Sequence, residues 1–239
     1  MATQGLVFYT AKGSPFSQRV EIVFEEAGVH PTTYFIDVRD KPGWFVEKVN
    51  PVGKIPAATY GGPTVALDDP SSESVKLAES LVLLEFAAEL YPNANMYPKD
   101  IVDRARARFF ISATSELLTS FYGLIVKGTT SDAILKDLKT LQKLLPPGSG
   151  FAVGDFSIAD AAVAPFIGRL EVYLRNDLGM FAAGEGPKMY KEIFESAEFA
   201  RLQQYWKDVV ARPSFKATFD EPFLVEYASA YLTKAKAQK

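Results

Sequence analysis

The chain contains no cysteine and only one histidine. Without cysteine there can be no disulfide framework, no cysteine-ligated zinc site and no cysteine nucleophile. The single histidine, His30, cannot build a multi-histidine metal site, and its position beside Pro31 predicts a surface turn. The sequence therefore predicts no bound metal.

Strong charge of either sign and long hydrophobic runs are also missing. The net charge is −3, and no basic run with interleaved aromatics appears, so no nucleic-acid partner is expected. We find no signal-peptide pattern, and no apolar stretch approaches the ~20 residues of a membrane helix. These absences predict a soluble, cytoplasmic protein without a membrane partner. Its 239 residues, 48% of them hydrophobic, suffice for one large or two small domains.

The first 40 residues have the pattern of a strand, a helix and a second strand. Apolar residues 5–9 predict a buried strand, and 15–27 have apolar positions at helical spacing. Gly28 suits the end of that helix, and the β-branched and aromatic run 32–37 predicts the second strand. A βαβ unit of this length predicts parallel strands with a right-handed crossover.

The pattern then continues with short elements and turn signals. Residues 43–49 predict a short helix, residues 57–60 and 75–77 predict two strands, and residues 79–90 predict a helix. The stretch 63–74 is long for a hairpin connection, and we expect it to be an exposed excursion.

After a linker at 92–98, the pattern is helical throughout. Glycine, proline or asparagine signals separate the predicted helical blocks 100–127, 130–145, 157–178, 188–194, 197–211 and 221–234. One start is especially well marked, because Ser157 stands three residues before Asp160, which is the spacing of a capping box. The run 159–170 is apolar nearly all round, so we expect this helix to be buried and to serve folding.

The start of the first helix is the most informative site in the chain. Pro15 suits the first helical position, which makes Ser14 the N-cap. Its hydroxyl then lies where backbone N–H groups and the positive end of the helix dipole converge, a place that favours an anion. A plain structural cap is the alternative.

Four motifs in this order resemble the cytosolic glutathione transferases. They are Ser-Pro-Phe-Ser at 14–17, Gly-Lys-Ile-Pro at 53–56, Glu79-Ser80 opening a helix, and Gly-Asp-Phe-Ser-Ile-Ala-Asp at 154–160. The resemblance covers the whole chain. It implies an α/β plus all-α fold, with a thioredoxin-like, glutathione-binding βαβαββα domain at 1–92 and an all-helical domain at 98–239.

Within that family the chain is most similar to the omega class. Ser-Pro-Phe-Ser-Gln-Arg at 14–19 and Asp-Lys-Pro-Gly-Trp-Phe at 40–45 resemble the omega patterns Cys-Pro-Phe-Ala-Glu-Arg and Asn-Lys-Pro-Glu-Trp-Phe. Ser14 stands where omega members normally carry the catalytic cysteine, as in a serine-bearing minority of omega-like fungal enzymes. The stretch 63–74 is a second departure.

The resemblance implies that glutathione is the cosubstrate and that Ser14 is catalytic. A serine hydroxyl cannot attack a mixed disulfide without an activating base, so thiol-transferase activity should be absent. It can instead donate its proton to the glutathione sulfur and favour the thiolate.

Four further residues are implied to bind glutathione through its backbone and its γ-glutamyl head. Ile55 should precede a cis peptide to Pro56 and pair with the cysteinyl backbone, whereas the sequence alone would favour a trans proline. Glu79 can pair with the ammonium, and Ser80 at a helix N-terminus can bind the carboxylate. The alternative for Glu79 and Ser80 is an ordinary helix cap.

Two lysines and one aromatic residue complete the implied glutathione site. Lys41 resembles the omega lysine that faces the glycyl carboxylate, and Lys54 is a second candidate for that role. Phe16 either packs against the glutathione site or fixes the first helix to the sheet.

The hydrophobic electrophile is expected between the two domains. Tyr122, Arg169, Tyr173 and Trp206 are candidates because they are large and fall on helices of the second domain. Each has the alternative of an ordinary core or interface position.

The function implied is detoxifying conjugation of glutathione to hydrophobic electrophiles such as isothiocyanates or aryl halides by a homodimer. Peroxidase activity toward organic hydroperoxides is a second activity that the same thiolate would allow. One rival is a binding protein that holds aromatic or phenolic compounds with little turnover. Another is an interaction domain that uses the fold only as a scaffold.

Overall fold

A computed structural model describes residues 5–237. The chain forms two compact units that divide between Tyr97 and Pro98. The first unit is built on a sheet and the second on helices.

The sheet of the first unit has four strands in the order β2-β1-β3-β4. The strands are β1 (Leu6–Thr10), β2 (Thr32–Phe35), β3 (Ala57–Tyr60) and β4 (Val75–Ala78). β1 and β2 are parallel, as the βαβ pattern predicted, while β3 pairs antiparallel with both β1 and β4. β2 ends two residues earlier than predicted, although Ile36 still donates its N–H to Thr10 O at 2.8 Å.

Helices cover both faces of this sheet. They are α1 (Pro15–Ala27), α2 (Gly43–Lys48) and α3 (Ser80–Leu90). On one face the ring of Phe8 lies 5.3 Å from that of Phe24 in α1, and Tyr60 lies 5.4 Å from Phe86 in α3. On the other face Tyr9 packs 5.9 Å from Phe45 in α2. The element order βαβαββα with this mixed sheet is a thioredoxin-like fold, as expected.

The stretch 63–74 is a mostly exposed connection between β3 and β4, as predicted. It follows Gly61 and Gly62, both at positive φ (73° and 76°), a conformation that favours glycine. Side-chain contacts tie it back to the unit, and Lys76 of β4 supplies some of them by donating to Ser71 O and Ser74 O. The Tyr9 hydroxyl donates to Leu67 O at 2.9 Å, and Lys48 Nζ lies 2.6 Å from Asp69 Oδ1.

The second unit is helical and is organised around one buried helix. Its helices are α4 (Ile101–Ala113), α5 (Glu116–Tyr122), α6 (Asp132–Leu144), α7 (Ile158–Arg175), α8 (Glu185–Phe194), α9 (Ala200–Ala211), α10 (Pro213–Thr218) and α11 (Glu221–Lys236). Every residue of α7 from Ile158 to Leu170 is buried. It contacts α4, α5, α8, α9 and α11, which makes it the centre of this unit, as predicted.

The predicted capping box at the start of α7 is present and closed. The Ser157 hydroxyl accepts from Ala159 N at 3.3 Å, while the Asp160 carboxylate accepts from Ser157 N and Ala152 N, each at 2.9 Å. Asp160 is fully buried, and burial raises its pKa to about 6 against the opposing effect of these hydrogen bonds.

Several helix ends lie up to three residues from the predicted positions, and two differences are larger. The block 100–127 is not one helix, because it breaks at Thr114–Ser115 and ends in a π-helical turn, Gly123–Lys127. The short helix α10 was not predicted, since six residues after the Arg212-Pro213 break carry too little periodicity.

The broken stretch Ile101–Lys127 is also the one part of the described chain that is long and apolar enough to span a membrane by length and composition alone. The expectation that no segment comes near this length was therefore wrong. The stretch is nonetheless a core helix of this unit, since it buries Phe110, Leu117 and Phe121.

Candidate functional site

Four segments of the first unit gather at one end of its sheet. β1 and β2 run parallel, so residues 11–19 and 37–42 leave from the same edge. Residues 54–56 enter β3 at that edge, because Ala57 pairs with Tyr9 in the antiparallel ladder. β4 ends there too, with Ala78 opposite Ala57, and Glu79 and Ser80 follow directly. This edge carries the predicted glutathione residues Ser14, Phe16, Lys41, Lys54, Ile55, Pro56, Glu79 and Ser80.

Ser14 caps α1 from a half-buried position. Its hydroxyl accepts from Ser17 N at 3.2 Å, and its backbone is extended (φ −71°, ψ 121°). The first turn of α1 contains no acidic residue, so this helix places no anion of its own against its N-terminus. Accepting one bond leaves the hydroxyl proton of Ser14 able to donate to an anion at the same spot.

The peptide bond between Ile55 and Pro56 is cis, as the resemblance implied. The loop that leads into it is held by Asn50, whose side chain donates from Nδ2 to Lys54 O at 2.8 Å. Asn50 Oδ1 also accepts from Val52 N at 3.1 Å. A buried asparagine therefore fixes the path of the chain just before Ile55, and the Lys54 side chain is exposed.

Glu79 adopts a backbone conformation that is rare for a residue with a side chain. Its φ is 71°, and it immediately precedes the first residue of α3, Ser80. Such outliers persist where the surrounding structure demands them, and they cluster at functional sites. The conformation turns the chain sharply from β4 into α3, and the Glu79 side chain is left exposed.

Ser80 is held by Arg19, a residue of the 14–19 motif to which the sequence analysis gave no role. Arg19 Nη1 donates to Ser80 Oγ at 2.9 Å across 61 positions of the chain, and both residues are buried. The Arg19 guanidinium also lies 5.5 Å from the ring centre of Phe16. Ser80 can still donate its own proton, so Arg19 fixes its hydroxyl without removing its capacity to bind an anion.

Lys41 lies in the loop between β2 and α2 and is exposed. Lys41, Lys54 and Glu79 therefore offer exposed charges at the rim, while Ser14, the cis peptide and Ser80 are held by the fold. Within residues 5–237, no group of three or more histidine and acidic side chains is placed to hold a metal.

In the second unit, Trp206 lines a cavity of about 450 Å³. Four other aromatic side chains line the same cavity, namely Tyr190, Phe194, Phe215 and Phe219. Trp206 is fixed by a hydrogen bond from Nε1 to Glu171 Oε2 at 2.8 Å. Sequence periodicity could not reveal this cavity, because its rings come from α8, α9, α10 and the turn after α10.

The other three residues proposed for the electrophile pocket lie near one another. Phe121 joins two of them, with its ring 5.3 Å from Tyr122 and 6.2 Å from Tyr173. Burial raises the pKa of Tyr173, and the cation of Arg169 opposes the shift. Arg169 is buried, donates from Nη1 to Pro165 O at 2.7 Å, and stacks 5.6 Å from Phe219 of the cavity wall.

Comparison with known proteins gives consistent matches. The sequence profile of the glutathione S-transferase N-terminal domain matches residues 13–90. Among curated proteins, glutathione S-transferase L3 of Arabidopsis thaliana is 26% identical over 209 residues, which is 84% of this chain and 83% of that protein.

Solved structures give higher similarity. Glutathione transferase Omega 1C from Trametes versicolor is 45% identical, with a TM-score of 0.92 over 97% of this chain and 98% of that one. Glutathione transferase Omega 2S from the same organism, in complex with 2,4-dihydroxybenzophenone, is 44% identical, with a TM-score of 0.88 over 96% of this chain and 100% of that one.

Proposed function

Because the chain belongs to the omega-like glutathione transferases, we propose that it conjugates glutathione to hydrophobic electrophiles with Ser14 as thiolate stabiliser. The observation that carries this proposal is the Ser14 hydroxyl at the α1 N-terminus, which accepts from Ser17 N and keeps its proton to donate. The nucleophile is then the sulfur of the cosubstrate, since the chain has no cysteine.

The energies are of the right size for this role. Lowering a thiol pKa by about two units from its usual value near 8.5 requires about 2.7 kcal/mol. A hydrogen bond to a charged group supplies about 1.5–3 kcal/mol. A helix N-terminus adds about 0.3–1 kcal/mol. Together these make bound glutathione largely thiolate at neutral pH.

The remaining residues at the sheet edge have roles in binding. The backbone of Ile55, presented by the cis peptide to Pro56, pairs with the cysteinyl backbone of glutathione. Glu79 and Ser80 hold its γ-glutamyl head, with Ser80 fixed by Arg19. Lys41, with Lys54 as a second cation, meets the glycyl carboxylate at the exposed rim.

The test is an ultraviolet titration of glutathione bound to the wild type and to Ser14→Ala. We expect a bound thiol pKa about two units below that of free glutathione, and a value close to the free one in the variant. Ser14→Thr keeps the hydroxyl and should keep most of the shift, whereas Ser72→Ala, in the exposed stretch 63–74, should change nothing. An unshifted pKa in the wild type with glutathione bound would overturn the role of Ser14.

A non-catalytic binding protein for aromatic or phenolic compounds is the second candidate. It is favoured by the aromatic cavity of the second unit and by the relative solved with 2,4-dihydroxybenzophenone. Conjugation of an aryl halide or an isothiocyanate that disappears in Ser14→Ala, with glutathione still bound, would decide for the enzyme. The same assay with cumene hydroperoxide tests the peroxidase activity, which uses the same thiolate.

We also propose a cytoplasmic homodimer. Ile101, Val102 and Phe109 of α4 are exposed apolar side chains, at 79%, 52% and 62% exposure, and surfaces of this kind mark contacts with other chains. Phe109→Glu, compared with the wild type by analytical ultracentrifugation, should shift the dimer toward monomer. An unchanged molecular mass in solution would exclude this face of α4 as the dimer interface.

A further inference from the structure

The stretch 63–74 forms the roof of a cavity on one face of the sheet. The cavity has a volume of about 170 Å³, and its floor is a row of three side chains. Val7 of β1 pairs with Thr32 of β2 on one side and with Thr59 of β3 on the other, so the three side chains share this face. Neighbouring strands lie about 4.8 Å apart, so the two threonines stand about 10 Å apart with an apolar side chain between them.

The roof is held in place by side chains of β1 and β4. The Tyr9 hydroxyl donates to Leu67 O at 2.9 Å. Lys76 Nζ donates to Ser74 O at 2.8 Å and to Ser74 Oγ at 2.9 Å. Leu67 and Ser74 both line the cavity, so these hydrogen bonds fix two points of its roof. The cavity is therefore a formed site with a defined wall.

The wall of this cavity combines aliphatic groups with hydroxyl groups. The aliphatic part comes from Leu6, Val7, Val65, Leu67 and Pro70, and the aliphatic hydroxyls come from Thr32, Thr59, Thr64, Ser71 and Ser74. Among residues 5–237, no charged side chain lines the cavity. A charged ligand would lose its hydration there without gaining a counter-charge, so the wall favours an uncharged molecule with an apolar body.

The two threonines of the floor differ in what they offer a ligand. The Thr59 hydroxyl is hydrogen-bonded to that of Tyr9, whose single proton goes to Leu67 O. Thr59 is therefore the donor in that bond, and its oxygen remains able to accept. Thr32 is exposed, and its hydroxyl forms no hydrogen bond with another residue of the described range 5–237. A ligand that bridges the row would donate a proton to Thr59 and share a second hydrogen bond with Thr32.

We propose that this cavity binds a small uncharged alicyclic diol, with its ring over Val7 and its two hydroxyls on Thr32 and Thr59. The size agrees, because a cavity of about 150 Å³ holds benzene, a ring of six heavy atoms. Hydrogen-bonded oxygens lie about 2.8 Å apart, so ligand oxygens separated by about 4–6 Å would reach both threonines. None of the residues proposed to hold glutathione lines the cavity, and the proposal is independent of the glutathione chemistry.

The test compares two probes that differ by one hydroxyl, trans-1,4-cyclohexanediol and cyclohexanol. Each is titrated into the isotopically labelled chain without glutathione, and the amide chemical shifts report where and how tightly it binds. We expect the shifts to be confined to residues of the cavity, Val7, Thr32 and Thr59 among them. The diol should bind about fivefold more tightly than cyclohexanol, which is the size of one hydrogen bond.

The hydroxyl of Thr32 is tested with a matched pair of variants. Thr32→Val removes the hydroxyl and keeps the branched shape, so the diol should bind no more tightly than cyclohexanol, whose affinity should stay as in the wild type. Thr33→Val makes the same change on the opposite face of β2 and should keep the preference for the diol. Both threonines are exposed, so thermal unfolding should show that each variant folds like the wild type.

Three results would overturn the proposal. The first is the absence of amide shifts at the cavity with the diol, which would mean that water alone fills it. The second is equal binding of the two probes to the wild type. The third is a Thr32→Val variant that keeps the preference for the diol.

Discussion

The starts of α1 and α7 use the same cap residue for opposite purposes. At α7, Ser157 is buried and Asp160 supplies a carboxylate three residues later, which accepts from the backbone of Ser157 and Ala152. At α1, Ser14 is half-buried and the first turn has no acid, because Ser17 stands at the position that corresponds to Asp160. A helix N-terminus that is filled by the chain's own anion serves folding, whereas one left open can receive an anion from outside.

Of the two helix starts, the closed one should contribute more to stability. Asp160→Ala leaves several buried donors without an acceptor, and we expect it to lower the free energy of unfolding by about 3–5 kcal/mol. Chemical denaturation at neutral pH measures this loss. Asp155→Ala, at an exposed acid in the same loop, is the matched control. A loss below about 1 kcal/mol would mean that the carboxylate contributes little.

The same carboxylate should make stability depend on pH. Its pKa is raised to about 6 in the folded chain from 3.8, so the folded state binds more protons between these values. Its contribution to the free energy of unfolding therefore falls by about 2.4 kcal/mol as pH rises from 4 to 7, and stays constant above. Subtracting the profile of Asp160→Asn isolates this effect. A difference profile that is flat, or that rises with pH, would contradict it.

An acidic residue in the first turn of α1 would give this helix the same kind of internal anion that Asp160 gives α7. Ser17 is buried, its hydroxyl has no hydrogen-bond partner among residues 5–237, and Ser17→Asp would place a carboxylate against the start of α1. We expect the pKa of the bound glutathione thiol to rise by about one to two units, because the two anions compete for the same site. Ser17→Asn, of equal size and without charge, is the control in the same ultraviolet titration. Equal thiol pKa values in the two variants would show that the thiolate does not interact with the N-terminus of α1.

The smallest expected effect concerns Arg19, which holds the Ser80 hydroxyl in place. Arg19→Met removes the donor to Ser80 Oγ, and we expect the KM for glutathione to rise about tenfold, the size of one such hydrogen bond. Since Arg19 acts through Ser80, the bound thiol pKa should stay as in the wild type. Arg19→Lys should recover part of the affinity. A change in thiol pKa with constant KM would give Arg19 a different role.

The sequence predicts those parts of the site that depend on short-range backbone geometry. The Ser14 cap and the Ser157–Asp160 box follow from spacings within a few residues, and the structure confirms both. The glutathione residues at the sheet edge were implied by the family resemblance instead, and their roles stay predictions. Arg19 was missed because its partner Ser80 lies 61 positions away, and nothing local marks the pair. The aromatic cavity was missed for the same reason, and Trp206 was grouped with Tyr122, Arg169 and Tyr173 by size and by position on the helices of the second domain.

The stretch 63–74 leaves and re-enters the sheet at nearly one point. A side-chain carbon on Gly62 would lie only 3.0 Å from Ser74 N, so the two ends of the stretch touch. A closed loop of this kind is an Ω-shaped appendage, and each doubling of its length costs the chain only about 0.6 kcal/mol in closure entropy. The stretch can thus be lengthened or exchanged, or can receive an inserted foreign segment, while the paired residues Tyr60 and Val75 keep their register. The opposite edge of the sheet, where Ser14 lies, then keeps its geometry.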